Sequence, residues 1–344
     1  MQVSWGHMSK GEVYDALGRK PHLSTYDPSP DTTHRMERVA FLMDPIDSIN
    51  PHTDTSLAIM RAAAKRNMEV IYVPRGGLAL DHGVLHVRGR QVHIDPTPQR
   101  YADLGDPVYC PASDCRAIFI RSDPPFNTLY LTETWMLSFA EAAGVRIINS
   151  PAALRNANEK LFALEFPELC PSTLVTSDRE SIKTFIEQQD GVAIGKPLHG
   201  FGGYGVVKLR HDDSNLNAII DMLTLEGRDP IIVQQYLPEA QQGDKRLFML
   251  NGQLRAALQR IPHQSDHRGN VHVGGSVMAC EPDAHDQLIA NRVGPVLRAR
   301  GLFFVGMDVI AGKLIEINVT SPTLVQELKR LGGPDLANEI IGMI

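Results

Sequence analysis

Lys196-Pro-Leu-His-Gly200-Phe-Gly202-Gly203-Tyr-Gly205-Val-Val207 is the stretch on which the fold turns. Its glycines satisfy both the dinucleotide pattern G-x-G-x-x-G and the kinase pattern G-x-G-x-x-G-x-V. The dinucleotide fingerprint must open a helix whose N-terminus faces pyrophosphate, whereas Val206-Val-Lys-Leu209 reads as a strand. A P-loop needs four residues between its glycines and a Ser or Thr after the lysine. Gly191-Val-Ala-Ile-Gly195-Lys196-Pro197 has neither. A protein kinase would also carry H-R-D-x-x-x-x-N and D-F-G, which the sequence lacks. What survives is a strand, a glycine flap over 198–206, and a second strand. Missing side chains there let backbone N–H groups approach phosphate oxygens closely. Lys196, at the end of the apolar run from Val192, adds an ammonium within reach of a phosphate.

Outward from the flap, the chain alternates strands and helices. Toward the N-terminus, strands are expected at Val39–Met43, Val70–Val73, Ala117–Ile120 and Val145–Ile148, a hairpin within Val84–Ile94, and helices at Ser56–Arg66 and Thr132–Ala143. That pattern predicts an α/β domain over 37–150, with Asn149-Ser-Pro151 as boundary and residues 1–36 as a polar extension. A second domain, 151–344, opens with an expected helix over Asn156–Phe166. It continues with a strand at Thr173–Thr176, a helix over Asp178–Gln189, the two flap strands, a helix over Asn215–Leu225 and a strand at Ile231–Gln235. Asn251-Gly252 marks a hairpin between Leu247–Leu250 and Leu254–Arg260. Residues 261–276 are too long and polar for a turn and suit a mobile lid. A helix over Asp283–Arg300, two strands and a final helical stretch complete the chain.

The last two strands, Leu302–Ile310 and Lys313–Val319, carry Asp308, Glu316 and Asn318. Glu316 and Asn318 are two apart and share a face. Asp308 joins them only if the connecting loop has three residues; a three-residue loop with left-handed Gly312 preserves that parity. Oxygen-only donors of this kind favour Mg²⁺, which takes one or two carboxylates plus nucleotide phosphates.

Composition narrows the classes further. Forty acidic residues against 34 basic in a chain of 344 leave a net charge of −6, which offers nucleic acid no footprint. No apolar run reaches the ~20 residues of a membrane span. Four cysteines without a C-x-x-C pair read as reduced thiols, and a cytoplasmic location is expected. Among thirteen histidines, His263, His267 and His272 have irregular spacing in the polar loop and form no zinc pattern.

These elements, with Met43-Asp-Pro-Ile-Asp-Ser-Ile-Asn50, Arg121-Ser-Asp-Pro-Pro-Phe126, Asn158-Glu-Lys160, Gln234-Gln-Tyr-Leu-Pro238, Gly243-Asp-Lys-Arg246, Arg260-Ile-Pro262, Arg268-Gly-Asn270 and Glu316-Ile-Asn-Val-Thr-Ser-Pro322, closely resemble the prokaryotic glutathione synthetase family of ATP-grasp ligases. The resemblance runs in order from about residue 37 to 325. It implies an α/β (α+β) ATP-grasp fold behind an N-terminal pre-ATP-grasp domain, and ATP-driven ligation of γ-glutamylcysteine to glycine through an acyl phosphate. Position by position, it places Lys160 and Lys196 on ATP phosphates under a flap made by Gly200, Gly202 and Gly203. It puts Gln234, Gln235, Tyr236 and Leu237 on the adenine, and Asp244 on the ribose. Asp308, Glu316 and Asn318 would hold two Mg²⁺ ions, or Mn²⁺ in their place. Arg246, Arg260 and Arg268 would surround the reacting centre. Asp44, Ser48, Asn50, Arg121, Asp123, Asn270, Thr320, Ser321 and Pro322 would line the substrate sites. A homo-oligomer, dimer or tetramer, is expected, with small-molecule substrates and neither nucleic acid nor membrane as partner. Asn127 and His199 stand where the family carries acidic residues. They keep a second reading open, a related ATP-grasp ligase for another amino acid or peptide pair.

Overall fold

The computed structural model describes residues 36–94, 101–200, 202–262 and 275–344. Its first part runs β1 (Arg38–Met43), α1 (Thr55–Lys65), β2 (Glu69–Pro74), β3 (Leu78–Asp81), β4 (Val84–Ile94), β5 (Ala102–Pro111), β6 (Ala117–Ile120), α2 (Thr128–Ala142) and β7 (Arg146–Ile148). β1 and β6 are buried on both faces, as strands covered on both sides of a sheet must be. They belong to a parallel ribbon in the order β2-β1-β6-β7, extended antiparallel by β4, which carries β3 and β5. Val84–Ile94 is therefore one long strand and not the expected hairpin. Its alternation reports one face on the core, and the turn lies before it at His82-Gly83, where both residues have positive φ.

The remainder runs α3 (Pro151–Asn156), α4 (Glu159–Ala163), β8 (Thr173–Thr176), α5 (Arg179–Gln188), β9 (Val192–Pro197), β10 (Val207–Arg210), α6 (Leu216–Leu223) and β11 (Ile231–Gln235). Then follow β12 (Asp244–Leu250), β13 (Gln253–Ile261), β14 (Ser276–Cys280), α7 (Ala284–Ala299), β15 (Phe304–Ile310), β16 (Lys313–Asn318), α8 (Val325–Arg330) and α9 (Leu336–Gly342). The helix expected over Asn156–Phe166 is the shorter α4, Glu159–Ala163, and the separate α3 ends where it was expected to begin. Ala157 is extended, and the Asn158 side chain accepts from Lys160 and Leu161 N–H, capping a fresh helix. β10-β9-β11-β8 form one antiparallel sheet and β14-β13-β12-β15-β16 another.

Burial separates these layers. One apolar cluster joins Ala40, Ile118 and Leu137 of the first sheet and its helix to Leu247, Val305 and Leu314 of the five-stranded sheet. A second joins Phe41 and Met60 to Phe248, Phe304 and Ile340. The four-stranded sheet instead packs on its own cluster, in which Ile182, Ile186 and Ile220 meet Ala193, Leu209 and Val233. Asn149, read from sequence as a boundary, is buried. Its side chain donates to Phe304 and Val319 carbonyls at 2.8 and 2.7 Å and accepts from Phe304 N–H at 2.9 Å.

The β15–β16 connection departs from the expected three-residue loop. Ile310 pairs with Lys313, so only Ala311 and Gly312 lie between, both at positive φ as a type I′ turn demands. A shift between Asp308 and Val309 then makes Ile315 an extra residue on β16, and Asp308 comes opposite Glu316. Leu314 and Ile317 enter the core while Ile315, Glu316 and Asn318 line the opposite face. The parity expected from a longer loop is restored by a bulge.

Candidate active site

A cleft of about 210 Å³ lies between the four-stranded and five-stranded sheets. Its upper wall comes from Ile194, Lys196, Val206 and Gln234 on or beside β9–β11, and its lower wall from Arg246, Arg260, Asp308, Ile310, Ile315, Glu316 and Asn318 on β12, β13, β15 and β16. Lys160, Gly200, Gly202, Gly203, Gln235, Tyr236, Leu237 and Asp244 line it as well. Every expected ATP and metal position thus meets in one cavity, with Arg246 and Arg260.

The flap closes one end as a β9–β10 hairpin, with Gly195 opposite Val207. Gly202 and Gly203 have φ of 63° and 77°, a conformation open to glycine at no steric cost. Lys160, 9% exposed, donates its Nζ to the Gly200 carbonyl and lies 3.4 Å from Glu316 Oε1. Lys196 Nζ donates to Gln234 Oε1 at 2.7 Å, and Gln234 Nε2 donates to Thr173 Oγ1 at 2.9 Å. Gln234, read from sequence as an adenine contact, therefore also aims the lysine. Burial lowers the Lys196 ammonium to a pKa of about 8, with Glu316 pulling it back up and Lys160 pushing it down. An anion placed beside this desolvated ammonium would favour its charged form and raise the pKa again.

Below it, Arg246 Nε donates to Asp308 Oδ1 at 2.6 Å and Arg260 Nη2 lies 2.8 Å from Asp308 Oδ2. Burial would raise the Asp308 carboxyl, but Arg246 and Arg260 outweigh it and hold the group well below the usual carboxylate range. Asn318 Nδ2 also donates to Asp308 Oδ2, at 3.2 Å. Asp244 accepts from Arg260 Nε at 3.0 and 3.1 Å, yet burial keeps its carboxyl above its ordinary value. Two carboxylates and one amide oxygen on one hairpin face make an oxygen-only donor set suited to a hard cation. Among the described residues no three His, Cys, Asp or Glu side chains cluster as a metal site.

Glu159, Ile194, Tyr204, Val206, Gln241, Ile310 and Ile315 line the cleft without having been singled out from sequence. Glu159 had a signal in its place beside Lys160. Its Oε1 accepts from Val319 N–H, Thr320 N–H and Thr320 Oγ1 at 2.8, 3.0 and 2.8 Å, which fixes the loop after β16. Burial, then the nearby Glu316, raise its carboxyl. The four apolar residues had no signal, since each reads as ordinary strand interior. Tyr236 stacks under Lys208, whose Nζ lies 3.9 Å from the ring centre, and accepts from Gln241 Nε2 at 3.2 Å.

The expected substrate residues form a second group outside the cleft. Asp44 Oδ2 accepts from Asp123 N–H at 2.8 Å, and Asp123 Oδ1 accepts from Ser321 Oγ at 2.6 Å. Arg121, buried, donates to Ser56 Oγ at 2.9 Å and to the Pro322 carbonyl at 3.0 Å. Thr320 joins this group to Glu159 and so to the cleft. Ser48 and Asn50 stand apart from it, bonding within their own loop to the Pro45 carbonyl and the His52 N–H. Arg268, Asn270, the lid core at 263–274 with its three histidines, Phe201 and the extension up to residue 35 lie outside the described residues.

Models of the prokaryotic glutathione synthetase N-terminal domain and ATP-grasp domain match residues 37–155 and 159–333. The chain belongs to the prokaryotic glutathione synthetase family. It is 40% identical over 315 residues to glutathione synthetase of Thermosynechococcus vestitus, covering 89% of this chain and 99% of that one. It is also 40% identical over 310 residues to the Shewanella oneidensis glutathione synthetase, covering 90% and 98%. Solved ATP-grasp structures share the fold: ligase PsnB with its minimal precursor at TM-score 0.59 and 19% identity, covering 90% of this chain and 100% of PsnB, and D-cycloserine synthetase DcsG at 0.58 and 15%, covering 87% and 96%. As a glutathione synthetase family member the protein is an ATP-dependent ligase with an ATP-grasp fold, and the family works with divalent metal ions. Neither departure from the family pattern touches the cleft. Asn127 caps α2, accepting from Tyr130 N–H at 3.0 Å, a task that Asp and Asn perform equally well. His199 is exposed and points to no lining role.

Proposed function

We propose that this protein makes glutathione from γ-glutamylcysteine, glycine and ATP. It would use residues 151–344 as the ATP-grasp domain and 37–150 as the substrate domain. The observation that carries the reading is the meeting, in one cleft, of the flap, Lys160, Lys196, two buried arginines and the Asp308–Glu316–Asn318 face. A carboxylate is a poor electrophile. Transfer of the γ-phosphoryl group to the dipeptide carboxylate forms an acyl phosphate and releases ADP. Attack by the glycine amine then expels phosphate and forms the peptide bond.

The residues supply charge rather than a nucleophile. Lys160 and Lys196 neutralise the phosphates from beneath the flap. Arg246 and Arg260, held by Asp308, stabilise the charge that builds on the transferring group, a task we extend to Arg268. Asp308, Glu316 and Asn318 would hold Mg²⁺, two ions or Mn²⁺ in place of them, which supplies further neutralisation of the triphosphate. Ile194, Val206, Ile310 and Ile315 with Tyr236 and Leu237 provide an apolar slot for the adenine, and the Thr320–Pro322 loop faces the acceptor. The lid keeps water from the acyl phosphate. A cytoplasmic homo-oligomer belongs to the same proposal; among the described residues no helix is long and apolar enough to cross a membrane.

Steady-state ADP release over a matrix of γ-glutamyl dipeptides and amino acids tests the reading. The γ-glutamylcysteine and glycine pair is expected to show the highest kcat/KM, with one glutathione per ADP. A clear preference for another pair would replace it.

A further inference from the structure

A row of polar side chains at the far end of the parallel ribbon is not used by the nucleotide cleft. β2, β1 and β6 lie side by side and run the same way, with Met43 level with Pro74 and Leu42 level with Ile120. The residues that follow, Arg75, Asp44 and Arg121 to Asp123, therefore stand in line at the carboxyl ends of the strands, where open parallel sheets bind ligands.

Most of this row is already committed. Arg121 serves Ser56 and Pro322, and Asp123 serves Ser321. Glu133 of α2, 3% exposed, accepts from Arg75 Nε at 2.8 Å through Oε2 and from Gly76 N–H at 2.8 Å through Oε1. Both oxygens of Glu133 are thereby spent on the stem side of Arg75, and the end nitrogens of the guanidinium remain. Nη1 lies 3.7 Å from Asp44 Oδ1, and Nη2 is buried with no hydrogen-bond partner among the described residues. Tyr130 sits one turn before Glu133 on the same face of α2, its ring centre 5.7 Å from the Arg75 guanidinium carbon. Its hydroxyl is also buried without a hydrogen-bond partner among the described residues. Two orphaned polar groups in one neighbourhood demand a partner. The uncommitted chemistry is one cationic donor edge, one hydroxyl and one carboxylate oxygen of Asp44, which is only part-buried at 38% side-chain exposure. A zwitterionic α-amino-acid head matches that set, with its carboxylate toward Arg75 and Tyr130 and its ammonium toward Asp44.

We propose that Arg75 and Tyr130 are specificity residues that read the α-carboxylate of the γ-glutamyl group, with Asp44 facing its α-ammonium. The inference rests on the dipeptide assignment above and names the part of that substrate which this row of side chains recognises. Glu133 is the positioning residue, acting through Arg75.

The test crosses two substrates with the enzyme and its variants. The substrates are γ-glutamylcysteine and 4-aminobutanoyl-cysteine, which lacks only the α-carboxylate. Wild-type kcat/KM is expected to be about 10²-fold lower for the truncated substrate, because a site built to bond a polar group rejects an analogue without it. Arg75→Met should lose a similar factor with γ-glutamylcysteine yet change little with 4-aminobutanoyl-cysteine, so that discrimination disappears while KM for ATP stays put. Equal losses with both substrates would show Arg75 to be structural only and overturn the proposal, as would a wild-type enzyme blind to the truncation. Should Arg75→Met fail to fold, Tyr130→Phe, which keeps the ring, carries the same comparison and is expected to narrow discrimination about tenfold; unchanged discrimination there would overturn it. A wild-type enzyme that ligates other dipeptides but not γ-glutamylcysteine would instead remove the functional reading beneath it.

Discussion

Burial lowers the pKa of Lys196 below that of an ordinary lysine, which would make its charge responsive to a phosphate placed beside it. Its pKa of about 8 in the free protein lies below that of a lysine in the unfolded chain, so the folded state binds fewer protons between these values. Its contribution to stability accordingly improves as pH rises through that window, because less charge must be buried. A triphosphate beside the ammonium reverses the shift. Nucleotide binding at pH 8.5 should therefore take up roughly three-quarters of a proton, and KM for ATP should rise above pH 8. Calorimetry in two buffers of different ionisation enthalpy measures the uptake; a heat independent of buffer would refute this role. Glu316 belongs to the same scale. Glu316→Gln keeps shape and removes charge from the hairpin face, and should lower kcat by about 10²-fold or more, with far-UV circular dichroism unchanged. Lys196, the flap glycines and Glu316 were legible because motifs carry them. The bonds of Glu159 to Val319 and Thr320 and the lysine-aiming work of Gln234 were not, since each depends on a partner far away in the chain.

At the scale of the element, the β15–β16 hairpin decides whether the site exists. Counting residues pointed to a three-residue loop, and the chain reaches the same parity by a two-residue turn plus an extra residue at Ile315. No one-dimensional pattern reveals a bulge, because Leu314-Ile-Glu-Ile317 reads as plain alternation with one slip. The same holds for Asn158, whose side chain caps α4 and moves the helix start from Asn156, where apolar spacing places it, to Glu159. Ala311 is the weak point of the turn, a non-glycine residue at φ of 48°. Ala311→Asn suits the first position of a type I′ turn and should stabilise the protein by up to about 1 kcal/mol, read as an upward shift in denaturation midpoint at constant m-value. A lower midpoint would show that the turn is not of this type. The neighbouring Gly312 tolerates no such change, since its φ is 73° and an added Cβ would meet His285 Cγ at 3.2 Å.

Across the whole molecule, the apolar core is divided unequally among the three sheets. Two apolar clusters bind the first sheet to the five-stranded sheet, while the four-stranded sheet that carries the flap rests on a core of its own. The first sheet and the lower wall of the cleft thus share their apolar clusters, whereas the flap sheet packs on a separate one. Alternation of strand and helix was enough to expose this α/β plan and the order of its parts. The crossing of two clusters between the halves was hidden, because Asn149 reads as a linker until its three bonds to β15 and the residue after β16 are seen. Both family models begin and end within 37–333, and the apolar clusters named above are built from residues after Arg38. A chain of residues 36–344 should therefore fold and turn over like the full protein. ATP at 100 times its Kd should stabilise either form by about 2.7 kcal/mol. A shortened chain that loses most of its activity would place the first 35 residues in the mechanism.

The claim at the centre of the account is that the cleft activates a carboxylate by phosphorylating it. γ-Glutamylcysteine labelled with ¹⁸O in the cysteinyl carboxylate, turned over with ATP and glycine, tests this most directly by mass analysis of the phosphate released. An acyl phosphate transfers one labelled oxygen, and phosphate carrying a single ¹⁸O is the predicted product. Unlabelled phosphate, formed alongside glutathione, would contradict it.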